Sequence, residues 1–166
     1  GGATLAIDAA AVETTLPNPQ PEPSPVAGGA CLGMLRHGSR RMPAVDLAAV
    51  LGLRPSAPGS LRQAFVVAVD GGAVACLISE VIDIKRTRLA DELPLEGFAL
   101  ARPGLLRGVL PRAALGDDVS RRLDAAAHSL LIVDPVALAR DATIASLAAV
   151  ARDDVRAHDV LAAYDA

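Results

Sequence analysis

The amino-acid sequence predicts a mainly β protein laid out as two successive small units, about 1–80 and 81–140, with a helical segment over 141–166. Three observations carry this prediction. Short runs rich in Val, Leu and Ile alternate with Gly and Pro breaks, the texture of strands joined by turns. Gly71-Gly72 separates RQAFVVAVD from AVACLISEV, and a glycine pair supplies the positive φ of a tight hairpin turn. From Pro135 onward the apolar period changes: Ile144, Leu147, Ala151 and Val155 recur every three or four residues, with Arg and Asp on the other face.

Composition bounds the class before any motif does. An apolar fraction of 52% and a charged fraction of 21% over 166 residues suffice to bury a core. The net charge of −3, with a pI near 5.5, leaves no basic field to hold nucleic acid through its phosphates. No apolar run approaches the roughly 20 residues of a membrane helix. The chain opens on Gly1-Gly2 with no basic stretch leading into an apolar one, so no targeting peptide is read there. Aromatic residues make up 2% (Phe65, Phe98, Tyr164), which predicts an aliphatic core and no stacking platform for bases or sugars. Cys31 and Cys76 are too few for a disulfide framework and point to a reducing, cytoplasmic setting.

The elements follow in chain order. PNPQPEPSPVAGG, residues 17–29, holds five prolines and two glycines and is expected to be an exposed connection between strands. ACLGMLR (30–36) and RMPAVDL (41–47) read as two strands joined by a turn at His37-Gly38-Ser39-Arg40. Leu47–Leu53 reads as a short helical turn with Asp46 placed to accept its first free N–H groups. RPSAPGS (54–60) is a second break. The hairpin around Gly71-Gly72 is followed by VIDIKR, expected to continue as strand. GFALARP (97–103), LLRGVLP (105–111) and HSLLIVD (128–134) complete the strand set, and 112–126 is expected to place a short helix, capped at Asp117-Asp118, inside a long hairpin. The C-terminal helix is expected to break, if anywhere, at Asp153-Asp154.

LGMLRHGSRRMPAVDLAAVLGL and RQAFVVAVDGGAVACLISEVIDI, followed by GLLRGVLPRA and SLLIVDPVALA, stand in the order of the signature segments of one family. On these motifs the chain resembles a CheW-like domain, the coupling module of bacterial chemotaxis signalling. The resemblance covers residues 1 to about 140, and PAVDLAAVLG with LISEVIDI at its distance is its most specific part. It implies an all-β fold of two packed five-stranded barrels around a shared apolar core, with the C-terminal amphipathic helix against one of them. The family's first strand would precede Gly1. The turn between Arg36 and Pro43 is longer than the family's usual one, and 112–126 lengthens the last hairpin.

What the resemblance implies about function is an adaptor without a cofactor or metal and without catalysis. Such a domain couples a chemoreceptor's cytoplasmic tip to the regulatory domain of a CheA-type histidine kinase, with weak self-association allowed and neither nucleic acid nor membrane insertion involved. The alternative is a degenerate or fused CheW-like regulatory module in a longer signalling protein. Carried onto this sequence, the partner-binding positions are Leu35, Arg36, Met42, Val45, Val81 and Ile82. Arg36 is equally readable as an ordinary strand-end arginine, and each of the apolar five reads first as core and second as contact. Pro43, Asp46, Gly71 and Gly72 are read as structural: a strand edge, a helix cap and a turn. His37 with Cys31 or Ser39 lacks a third orienting group, and His128 and His158 stand alone, so nothing composes a catalytic or metal site. Asp91-Glu92 reads as a solvated loop.

Overall fold

A computed structural model describes residues 3–57, 59–96 and 98–164, with side chains to residue 153. Its strands are β1 (Leu5–Ala6), β2 (Thr14–Pro17), β3 (Cys31–His37), β4 (Arg40–Asp46), β5 (Gln63–Val69), β6 (Gly72–Ile78), β7 (Leu106–Pro111) and β8 (Ser129–Val133). Its α-helices are α1 (Leu47–Val50), α2 (Asp117–Ser120), α3 (Pro135–Ala139) and α4 (Ala142–Tyr164). The protein is mostly sheet with few helices.

The strands form one sheet ordered β2-β5-β6-β4-β3 and a second ordered β1-β8-β7. Neither is the closed five-stranded barrel expected from the sequence. The division at residue 80 is not the division of the sheets either, because β1 runs parallel to β8 and pairs Leu5 with Leu131. Within the larger sheet β4 and β6 are parallel, and the remaining neighbours are antiparallel.

Period-two alternation sorts the side chains of each sheet onto two faces. On the larger sheet Leu35, Met42, Ala44, Ala64, Val66, Ala73, Ala75 and Leu77 make one cluster, with Leu16 of β2 against it. The sheet curls around this alanine-rich interior, and an ion pair from Arg40 Nη1 to Glu13 Oε2, 2.6 Å, links the β3–β4 turn to the residue before β2. The opposite face, carrying Val45, Phe65, Val67, Val74 and Cys76, shares a core with Leu105, Leu106 and Val133 of the second sheet and with Leu138, Ile144 and Ala148 of α3 and α4. Burial in that core pushes the Cys76 thiol up to about 12. The outer face of the second sheet, Leu110, Leu130 and Ile132, is covered by Leu115, Val119 and Leu123. That is the task of the lengthened hairpin, whose loop Arg112 pins by donating to the carbonyls of Asp124, Ala127 and Ser120.

Two of the four edge strands, β3 and β7, are covered in the same way. β3 is bulged between Cys31 and Gly33, and there Glu22 of the proline-rich segment exchanges both backbone hydrogen bonds with Met34, at 2.7 and 2.9 Å. β7 is bulged between Leu106 and Gly108, and Leu93 exchanges two bonds of 2.8 Å with Val109. A Cβ on Gly33 would lie 2.3 Å from the Glu22 carbonyl oxygen and one on Gly108 2.6 Å from that of Leu93. Glycine is what lets the covering backbone approach. The proline-rich segment is therefore a strap along β3, with Pro19 buried, and not only an exposed connection.

Three further expectations give way. VIDIKR is not strand: β6 ends at Ile78, and no ladder partner meets residues 79–88. Residues 98–102 are not strand either, and Gly97 lies outside the described residues. The helical tail breaks at Arg140-Asp141, where Asp141 Oδ1 accepts the Ile144 N–H at 3.1 Å, and runs unbroken through Asp153-Asp154. Asp134 caps α3 through the N–H groups of Val136 and Ala137. Asp117 and Asp118 sit in the first turn of α2, whose cap residue is Gly116.

Candidate interaction surface

The β3–β4 hairpin sets the position of Arg36. His37 pairs with Arg40 across a two-residue loop in which Gly38 takes φ +61°, so Arg36 faces Arg41 at the exposed end of β3. The Arg36 guanidinium makes no hydrogen bond or ion pair among the described residues, whereas Arg40 is the one drawn to Glu13. Leu35, Met42 and Val45 come from the same hairpin but are 6%, 1% and 0% exposed, so their side chains are core and offer no contact surface. Val81 is 41% exposed, and its N–H donates to Gln63 Oε1 at 2.8 Å. Ile82 is half-buried against the outer core of the second sheet, and its carbonyl accepts from Arg122. Of the six positions, the surface therefore keeps Arg36 and Val81, with Ile82 partly covered.

The four positions read as structural have these surroundings. Asp46, 4% exposed, accepts from the Ala48 N–H at 3.0 Å, the Ser56 N–H at 2.7 Å and the Ser56 hydroxyl at 3.0 Å. It caps α1 and holds the loop beyond it. Pro43 is buried inside β4, not at its edge. Its missing donor costs no ladder bond, because Met34 opposite spends both backbone groups on Glu22 and the β6 register begins only at Ala44. Gly71 takes φ +92° in the β5–β6 turn, and a Cβ there would meet the Arg152 guanidinium at 2.9 Å. The turn is Asp70-Gly71, and Gly72 is already the first residue of β6.

Cys31, His37 and Ser39 do not come together as a catalytic group. Cys31 is buried at one end of β3 and His37 is exposed at the other, about 20 Å apart by the rise of a strand. His128 is exposed, and the His158 side chain lies outside the described ones. Among the described residues no group of three or more His, Cys, Asp or Glu is placed to hold a metal ion. No helix among them is long and apolar enough to cross a membrane. Glu92 is not simply solvated: its carboxylate takes both Nε and Nη2 of Arg107, at 3.0 and 2.6 Å.

Two features escaped sequence reading. Arg102 joins the shared core's rim by donating to the Val50 carbonyl at 2.9 Å and pairing with Asp141, which ties α1 to the start of α4. Beside that pair lies a cavity of about 170 Å³ among Val26, Cys31, Val45, Val50, Ile144 and Leu147. The other feature is the tether of residues 82–85 to α2. Lys85 Nζ sits 2.6 Å from Asp118 Oδ2, and that hydrogen bond holds the lysine above and the carboxylate below their usual ranges. No periodic pattern marks either, since each joins residues tens of positions apart.

The fold defines a domain of two sheets on one shared core. A family model for the CheW-like domain matches residues 1–143, and the chain belongs to that family. Among solved structures it is similar to the scaffolding protein TtCheW of Thermoanaerobacter tengcongensis, with a TM-score of 0.59 and 14% identity over 77% of this chain and 79% of that one. At that identity the likeness shows the fold. No curated protein matches the sequence.

Proposed function

We propose that this chain is a chemotaxis scaffold. In this reading it is an adaptor of the cytoplasm, not a catalyst, that couples a chemoreceptor's cytoplasmic tip to the regulatory domain of a CheA-type histidine kinase. The family match over residues 1–143 carries the reading. The exposed, unengaged Arg36 supports it, because a planar guanidinium without an internal partner is suited to directed hydrogen bonds with another protein. Coupling needs two faces on one rigid body, and a core shared by both sheets supplies the rigidity.

The test is binding of the receptor tip and of the kinase regulatory domain, each titrated against this chain and its Arg36→Ala variant. The expected result is micromolar binding to both and a loss of about 5- to 30-fold toward one partner on Arg36→Ala, with the thermal midpoint unchanged. Absence of binding to either partner ends the reading. The second reading, a CheW-like regulatory module of a longer signalling protein, is favoured by the remodelled hairpin, in which Arg40 takes Glu13. It predicts binding to one of the two partners and not the other.

A further inference from the structure

The connection between β6 and β7 carries strand-type sequence that the fold leaves without a strand partner. From Ile82 to Thr87 no backbone N–H reaches a backbone carbonyl among the described residues. Side chains hold the segment instead: Gln63 takes the Val81 N–H, Arg122 the Ile82 carbonyl and Asp83 Oδ1 the Ile84 N–H, and Lys85 pairs with Asp118. Its middle is exposed throughout, and Ile84 is 77% and Leu89 79% exposed.

The same surface is basic. The guanidinium groups of Arg86 and Arg88 are exposed and have no hydrogen-bond or ion-pair partner among the described residues. Arg121 and Arg122, which follow α2, donate to the backbone carbonyls of Asp117 and Ile82 and form no ion pair among the described residues. In a chain of net charge −3 this is a local reversal of sign. Backbone groups without a backbone partner, protruding aliphatic side chains and guanidinium groups without a carboxylate partner call for one complementary ligand. It must offer backbone groups, apolar side chains and carboxylates in an extended form.

We propose that Ile82–Arg88 is a docking edge for an extended acidic segment of a partner protein, which adds alongside it as a strand and sets its carboxylates against Arg86 and Arg88. An anionic lipid surface fits less well, because Asp83, Asp117 and Asp118 are interleaved with the cations and a bilayer offers no backbone partner. The inference goes beyond the adaptor reading and turns on Arg86 and Arg88, which that reading does not use.

The experiment titrates the intact chain with a short labelled peptide in which glutamate alternates with valine, read by fluorescence anisotropy at low and high salt. Binding is expected at low salt, weakened about tenfold by R86E/R88E and strongly by added salt. A version of the peptide with proline at alternate positions, which removes backbone donors, is expected not to bind. Both arginines are unpaired and exposed, so the double variant is expected to keep the parent's melting curve, checked alongside. No peptide binding, binding indifferent to R86E/R88E, or equal binding of the proline version overturns the proposal. Vesicles of phosphatidylserine and phosphatidylcholine are the control surface, and binding to them in place of the peptide also overturns it. Receptor and kinase binding measured on R86E/R88E separates the two readings. If those partners bind and the peptide does not, this inference alone fails. If the peptide binds and neither partner does, the adaptor reading alone fails.

Discussion

Asp46 shows how one buried carboxylate can organise a whole corner of the molecule. It is the buried charged residue of the core and satisfies three donors, two of them on Ser56 ten positions away. A cap at the surface is worth about 1 kcal/mol. Here removal also strands the Ser56 donors at a part-buried site, each at a cost of order 1 kcal/mol or more. Asp46→Ala is therefore expected to lower unfolding free energy by about 2–4 kcal/mol, measured by urea denaturation. The expected accompaniment is loss of amide protection at Ala48 and Ser56. A cost below about 0.5 kcal/mol would mean that water replaces the carboxylate without penalty.

At the scale of elements, the strap across β3 matters most. Gly33 sits at φ +132° with the Glu22 carbonyl where its Cβ would be. Gly33→Ala is expected to cost about 1–3 kcal/mol and to release the Glu22–Met34 bridge, seen as faster hydrogen exchange at Glu22 and Met34 than elsewhere in the sheet. Unchanged exchange at those two amides would refute the strap as the cause. This element also marks the limit of sequence reading. Pro17 still ends β2, and the four prolines after it announce a segment outside the strands, but nothing local says which edge it lies against. β3 to β6, β7 and β8 were legible because their alternation is local and each buries one or both faces. VIDIKR has the same local pattern and fails as strand, because pairing is decided by what lies beside a segment. Of the candidate site, the position of Arg36 was legible from the hairpin. The burial of Leu35, Met42 and Val45 was not, because a strand with two covered faces looks the same in sequence whichever face meets a partner.

At the scale of the whole molecule, two sheets share one core. Leu105, Leu106 and Val133 pack in the same cluster as Phe65, Val67 and Val74, with α3 and α4 sealing it. Neither sheet keeps its inner face covered if the other leaves. Thermal unfolding is therefore expected as a single transition, with the calorimetric and van't Hoff enthalpies equal, and two resolved transitions would show that the sheets fold independently. That expectation differs from the one raised by two successive units along the sequence, and the difference is β1. Its Leu5 and Ala6 are hydrogen-bonded partners of Leu131 and Ile132. On the ribosome, the larger sheet has all its strands once Ile78 has emerged, but β1 must wait for β8 before it can be placed. The molecule is thus assembled out of order, with Leu5 and Ala6 travelling unplaced while everything up to β8 is made, a delay that nonlocal pairing imposes on the rate of folding.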